Sequence, residues 1–272
     1  MTRLARAVDA QGRYFLAEVL GLDADGLPGP SAALQPLVGD MFGERRPAGL
    51  PVPLATATLL PPVVPSKVIG IGSNYRDHAA EMGKPVPEVP KVFLKPSTAI
   101  IGPGLPIELP PGTNRVDHEA ELAIVIGRRL SRATPDEARA GVLGWTCGND
   151  VTARDLQKID GVFARAKGFD SFCPLGPFLC LGAPPAELKV RCHVNGVARQ
   201  DSDTRQMVFD WLALVVFVSD IMTLLPGDVI LTGTPAGVGP LNAGDTVEVF
   251  VQGAGLLRNP VILRSDRAAA AR

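Results

Sequence analysis

What this sequence of 272 residues has least of is an excess of one charge: 27 Lys+Arg face 28 Asp+Glu, a formal net charge of −1. That balance creates no long-range field to draw in a polyanion or a membrane surface, which argues against nucleic acid and lipid as partners. Cysteine is also scarce. Cys147, Cys173, Cys180 and Cys192 form no Cys-x-x-Cys pair and no short His/Cys spacing, which argues against zinc and for free thiols in a reducing compartment. The start, MTRLARAVDAQGRY, lacks the apolar core of a secretory signal. The longest apolar segment, MVFDWLALVVFV at 207–218, is interrupted by Asp210 and is too short to span a bilayer, so it reads as a buried helix. The expectation is a soluble, cytoplasmic protein.

Two phosphate-binding signatures are also incomplete. IGIGSNY carries Gly70 and Gly72 but has Tyr75 where a dinucleotide fingerprint needs its third glycine. GTPAGVGP at 233–240 lacks the Gly-Lys-Ser/Thr ending of a phosphate loop. There is no internal repeat, and the one low-complexity stretch is the terminal DRAAAAR.

What the chain does have is an ordinary globular composition, 46% hydrophobic and 20% charged, and enough length to bury a substantial core. The proline-rich PVPLATATLLPPVVPSK at 51–67 favours extended backbone and places a boundary near Pro61–Pro65. The expected organisation is a small N-terminal domain over 1–62, a catalytic domain over 63–265 and a frayed tail over 266–272. Beyond the boundary the chain reads as largely β. KVIGIG, AELAIVIG, LKVRCHV, DVILTG and DTVEVFV are short, rich in β-branched residues and bounded by turn residues. Asn195–Gly196 is a two-residue hairpin signal. Two helices are expected: a short one around NYRDHAAEMG ending at Gly83, and the apolar one starting near Thr204 or Arg205. Strands that do not alternate regularly with long helices argue against a doubly wound parallel fold.

The stretch VDHEAELAIVIG at 116–127 leads an apolar strand with Asp117, His118, Glu119 and Glu121. Side chains of a strand alternate, so the three carboxylates share one face, and Glu119 and Glu121 are about 6.5–7 Å apart along it. Like charges that close at the entry to a core raise each other's pKa unless a cation lies between them. A solvated sheet edge would also account for this stretch taken alone. The downstream cluster GWTCGNDVTARDLQ at 144–157, read as a turn-like segment, supplies a third carboxylate, Asp150. Three carboxylates without a His or Cys ligand describe a hard-cation site for Mg²⁺ or Mn²⁺, with Ca²⁺ able to occupy it in crystals and Zn²⁺ disfavoured. Arg154 and Lys167 are the candidate cations for an anionic substrate.

Six blocks in order, KVIGIGSNYRDHAAEMG, FLKPSTAIIGPG, HEAELAIVIG, GNDVTARDLQ, AKGFDSFCPLGP and LLPGDVILTGTPAGVGPL, resemble the fumarylacetoacetate hydrolase superfamily. The likeness is to its bacterial branch of acylpyruvate hydrolases, oxaloacetate decarboxylases and 2-hydroxyhepta-2,4-diene-1,7-dioate isomerases. The resemblance implies a mainly β (α+β) fold, a mixed β-sandwich roll with a small N-terminal domain, and a homodimer. It makes Glu119, Glu121 and Asp150 the Mg²⁺ or Mn²⁺ ligands and puts Arg154, Gln157, Lys167 and Thr234 around the substrate. His78 and Glu81, one turn apart on the short helix, become a proton-transferring dyad on a lid, with Lys167 as a further catalytic group. His118, on the opposite face of the strand, is left out. The implied substrate is a small 2-oxo (di)carboxylic acid, cleaved at a C–C bond through a metal-chelated enolate, by acylpyruvate hydrolysis or oxaloacetate decarboxylation. Two alternatives stand beside this: an isomerase or decarboxylase of aromatic catabolism, and a catalytically silent dicarboxylate-binding protein. Specificity is expected to reside in loops that include 84–92 and 158–166.

Overall fold

The computed structural model describes residues 1–265, so the frayed tail expected over 266–272 lies outside the described residues. Strands dominate, as expected of a mainly β fold. The largest sheet among the described residues has 13 strands. Its central path runs from Arg3–Val8 through Cys173–Leu181, Val142–Asn149, Ala120–Ile126 and Val229–Leu231 to Val68–Gly72 and Lys91–Lys95. Tyr14–Leu22, Pro28–Gly39 and Arg45–Pro47 extend it on the N-terminal side, and the antiparallel pairing of Arg3–Val8 with Cys173–Leu181 joins these strands to the rest. A five-stranded sheet of Ile107–Leu109, Gly255–Leu263, Thr246–Val251, Lys189–Val194 and Val197–Asp203 packs against it. The hairpin between the last two strands turns at Asn195 and Gly196, with φ of 53° and 75°, the backbone a tight two-residue turn requires.

Ala120–Ile126 is buried on both faces, which is why its sequence is almost continuously apolar. Leu122, Ile124 and Ile126 face the main core with Trp145, Val190, Val249 and helix residues Leu214 and Val218. Ala123 and Val125 face a second cluster with Leu175, Val229 and Leu231. Each such side chain contributes roughly 1.5–3 kcal/mol by leaving water. The strand is thus a fixed rail, and what it carries at its N-terminal end is held as firmly.

Three local expectations are corrected. The apolar helix starts later than Thr204 or Arg205: Thr204–Gln206 is a single 3-10 turn capped by Asp203, and the helix proper is Trp211–Ile221. Asp210 is its N-cap, accepting from Ala213 N at 2.8 Å, and the backbone at Val208 and Phe209 is taken up by Asn74. GWTCGN is a core strand and not a turn. Its glycines are there because neighbours come close: a Cβ on Gly144 would lie 1.9 Å from the Cys180 carbonyl oxygen. The segment 158–166 is largely helical, shared between Arg154–Asp160 and Ala164–Lys167. Cys147, Cys173, Cys180 and Cys192 are free and buried. Among the described residues no helix is long and apolar enough to cross a membrane.

Candidate active site

The rail ends in a break. Between Val116–His118 and Ala120–Ile126, Glu119 belongs to neither strand, and Val116–His118 joins a separate three-stranded sheet with Thr152–Ala153 and Gly239–Pro240. Backbone groups at such a break must find partners. Glu119 N donates to Asn149 Oδ1 and Ala120 N to Gln200 Oε1, both at 3.0 Å, while Glu119 O accepts from Asp150 N at 2.9 Å. Buried side-chain amides thus replace the strand ladder there and fix the direction of Glu119. His118 turns the other way, with Nδ1 3.2 Å from Gln200 Oε1. Burial lowers its pKa, which keeps it neutral.

Asp117, Glu119 and Glu121 all reach one cavity of about 570 Å³, and Asp150 joins them from the end of the neighbouring strand. Oxygens of Glu119, Glu121 and Asp150 lie within 4.8 Å of one another, and all three residues are buried. Among the described residues Glu121 has one protein donor, Gly233 N at 2.7 Å. Burial, and then the charges of Asp150 and Glu119, push its carboxyl well above the usual range. Burial pushes Glu119 up as well, but the charges of Arg154 and Lys167 outweigh it and hold the group below that range. A cation among Glu119, Glu121 and Asp150 would relieve the repulsion on Glu121. Buried hard oxygens converging in this way fit a divalent cation of the Mg²⁺ or Mn²⁺ type.

Lys167 places its ammonium against Glu119 Oε2 at 2.9 Å, Thr152 Oγ1 at 2.8 Å and Asp150 Oδ2. Its three protons are thereby committed to the protein, and its charge is what reaches a ligand. Burial opposes that charge, but Asp150 and Glu119 more than compensate, so its pKa is raised and it stays protonated. Its Nζ also lies 4.7 Å from the Phe93 ring centroid, a cation–π contact. Phe93 in turn sits over Gly70, where a Cβ would come within 2.1 Å of the ring. The glycine that resembled part of a nucleotide fingerprint is a seat for Phe93.

Arg154 reaches Asp117 Oδ2 through Nε at 2.9 Å, Gln157 Oε1 through Nη1 at 3.1 Å, and Glu119. With its carbonyl oxygen accepting from Arg154, Gln157 keeps its amide N–H₂ for another acceptor, and both residues line the cavity. His78 and Glu81, on the helix Arg76–Glu81, are joined Nδ1 to Oε2 at 3.1 Å. The helix is tied on both sides: Arg76 donates to Met207 O at 2.6 Å, Ser202 Oγ to Asp77 at 2.8 Å, and Gly237 N to Glu81 at 3.0 Å. The GTPAGVGP stretch therefore does hold anions. They are the protein's own carboxylates, Glu121 through Gly233 and Glu81 through Gly237.

The family description "Fumarylacetoacetate (FAA) hydrolase C-terminal" matches residues 67–262. The chain belongs to the fumarylacetoacetate hydrolase family. Among its relatives is Protein Rv2993c of Mycobacterium tuberculosis, 52% identical over 224 residues, covering 81% of this chain and 84% of that protein. The mitochondrial oxaloacetate tautomerase FAHD2A of Bos taurus is 44% identical over 227 residues, covering 78% and 72%. A 2-hydroxyhepta-2,4-diene-1,7-dioate isomerase from Mycobacterium marinum has a similar structure, with a TM-score of 0.88 and 43% identity, covering 98% of this chain and 100% of that one. Relatives of this kind support an enzymatic role for the chain.

Four residues of the site were not singled out from the sequence. Asp117 is the buried acceptor shared by Arg154 and Arg115, and the face alternation that selected Glu119 and Glu121 also pointed to it. Lys95 donates to Asp150 Oδ1 at 2.6 Å from a side chain wholly shielded from solvent. Its position at the end of Lys91–Lys95 gave no sign of this. Asn149 and Gln200 hold the strand break, and polar residues in such short strands do not stand out in sequence.

Proposed function

We propose that the protein is a Mg²⁺- or Mn²⁺-dependent enzyme acting on small 2-oxo acids, cleaving a C–C bond by acylpyruvate hydrolysis, oxaloacetate decarboxylation or both. The observation that carries this reading is the convergence of Glu119, Glu121 and Asp150 in one cavity that His78, Arg154, Gln157 and Thr234 also line. Those three carboxylates would hold the cation, which when bound supplies Lewis-acid polarisation of the 2-oxo group.

The chain's own residues then divide the work. With all four ionised, Asp117, Glu119, Glu121 and Asp150 are balanced by the four cations paired with them, Lys95, Lys167, Arg154 and Arg115. A dication added to that balance would leave the site net positive, suited to an anionic substrate. Gln157 offers its free N–H₂ to the substrate carboxylate, beside the guanidinium of Arg154. Because the Glu81 carboxylate can only accept, His78 carries its proton on Nδ1, leaving Nε2 as a base. His78 takes a proton from water in hydrolysis or moves one between carbon and oxygen in tautomerisation, and Glu81 stabilises the imidazolium that results.

A second reading, isomerisation or tautomerisation, is favoured by the names its relatives carry, a 2-hydroxyhepta-2,4-diene-1,7-dioate isomerase and an oxaloacetate tautomerase. Parallel assays of acetylpyruvate, oxaloacetate and 2-hydroxyhepta-2,4-diene-1,7-dioate with Mg²⁺ or Mn²⁺ separate the two. His78→Ala is expected to reduce hydrolysis far more than decarboxylation, which needs no water, and equal losses would count against water activation. A homodimer working in the cytoplasm completes the proposal, with light scattering of the purified protein as the check on assembly.

A further inference from the structure

We infer that Gln200 is a positioning residue that fixes the Thr234 hydroxyl as a hydrogen-bond acceptor, so that the cavity reads a donor on its ligand at that point. Gln200 is buried on Val197–Asp203, and its amide is held at both ends by main chain. Oε1 accepts from Ala120 N at 3.0 Å, and Nε2 donates to Pro235 O at 2.8 Å. A backbone N–H can only donate and a backbone carbonyl can only accept. Reversing the amide would set donor against donor at one end and acceptor against acceptor at the other. The orientation of Gln200 is therefore determined by chemistry.

The consequence falls on Thr234. Its Oγ1 accepts from Gln200 Nε2 at 2.8 Å and lies 2.9 Å from the carbonyl oxygen of Ala120. A hydroxyl has one proton and two lone pairs. Gln200 occupies one lone pair, and the contact with a carbonyl requires the proton. What remains is a single lone pair, on a residue that lines the cavity beside Gly233, whose N–H holds Glu121. Thr234 therefore cannot donate to a carboxylate without abandoning a buried carbonyl. Thr234, expected only to lie around the substrate, thus takes an acceptor's role, and the substrate carboxylate is left to Gln157 and Arg154. The ligand class that satisfies Thr234 is a 2-oxo acid, or its enol form, presenting an O–H or N–H group beside its carboxylate.

The inference rests on the 2-oxo-acid reading above, and one binding experiment separates the two. Oxalate has no donor at neutral pH, whereas oxamate replaces one carboxylate oxygen with an N–H₂ group. Calorimetric titration of the Mg²⁺-loaded protein with each probe is expected to show that Thr234→Val weakens oxamate at least about tenfold, since a polar group facing an apolar one loses its partner. The same variant should change oxalate by less than about twofold, and Thr234→Ser, which keeps the acceptor, should retain both affinities. Gln200→Met should lower the oxamate-to-oxalate affinity ratio, a readout that a general loss of structure would leave unmoved. Intact oxalate binding with equal losses for both probes in Thr234→Val, a larger loss for oxalate, or no loss at all overturns the acceptor assignment. A parallel loss of both probes in Gln200→Met overturns the positioning role. Failure of the wild type to bind either probe overturns the 2-oxo-acid reading and the inference with it.

Discussion

Asp150 is one carboxylate between two ammonium groups, Lys95 on Oδ1 and Lys167 on Oδ2. A buried charge stripped of its partner costs about 3–5 kcal/mol, and a nearby cation repels an incoming one. Lys95→Met is therefore expected to lower the stability of the metal-free protein by several kcal/mol while strengthening Mg²⁺ binding, so that Mg²⁺ raises Tm more in the variant than in the wild type. Thermal melts with and without Mg²⁺ check this, and an equal or smaller shift contradicts it. The cysteines behave in the opposite sense, as inert core residues. Burial pushes the Cys173 thiol up to about 12 and the Cys180 thiol up to about 11. Iodoacetamide at pH 8 should leave the native protein unlabelled and modify all four thiols after unfolding, as read by mass spectrometry; rapid labelling of the native protein would contradict their burial. At this scale the sequence was legible where chemistry repeats along a strand, as with Glu119 and Glu121. It was silent where a side chain acts across the fold: Lys95 and Asp150 are distant in the chain, and nothing in FLKPS distinguishes a buried lysine from a solvated one.

Elements explain what the residues alone do not. The short helix Arg76–Glu81 was legible from its end at Gly83, whose φ of 60° suits glycine, and from the one-turn spacing of His78 and Glu81. The start of the apolar helix was not, because Asp210 looked like an interruption of an apolar run when it is the cap that begins Trp211–Ile221. A cap competes for backbone N–H groups, so the same residue ends one segment and starts the next. Asp203 has a comparable place at the join between Val197–Asp203 and the turn Thr204–Gln206. Its carboxylate bonds the guanidinium and backbone N–H of Arg205, which hold it well below the usual carboxylate range. A carboxyl lowered on folding adds stability above its unfolded value, near 3.9, and that contribution is lost as pH falls through the folded value. Asp203→Asn, which keeps a capping oxygen but loses the ion pair with Arg205, should thus cost up to about 1 kcal/mol at pH 7, with the gap to the wild type narrowing steadily below about pH 4. Denaturant unfolding across that range tests it, and a gap independent of pH would contradict the assignment.

On the scale of the molecule, period-two patterns, the Asn195–Gly196 turn and six ordered motifs were enough to read a mainly β member of the fumarylacetoacetate hydrolase family. The pairing of Arg3–Val8 with Cys173–Leu181 was not legible, since contacts between residues so far apart leave no local pattern. The break at Glu119 is the largest feature that periodicity hides. A strict alternation predicts one strand, whereas the chain passes from one sheet to another there and relies on Asn149 and Gln200 to satisfy the backbone. Two packed sheets hold Ala120–Ile126 in place, and the strand presents Glu119 and Glu121 where, with Asp150, they could hold a cation. The most direct test is turnover of oxaloacetate and acetylpyruvate by the wild type and Asp150→Ala, each with Mg²⁺ and with excess chelator. The expected result is wild-type activity abolished by chelator and restored by Mg²⁺, with none in Asp150→Ala under any condition. Full activity of the variant, or of the wild type in chelator, would contradict the metal site.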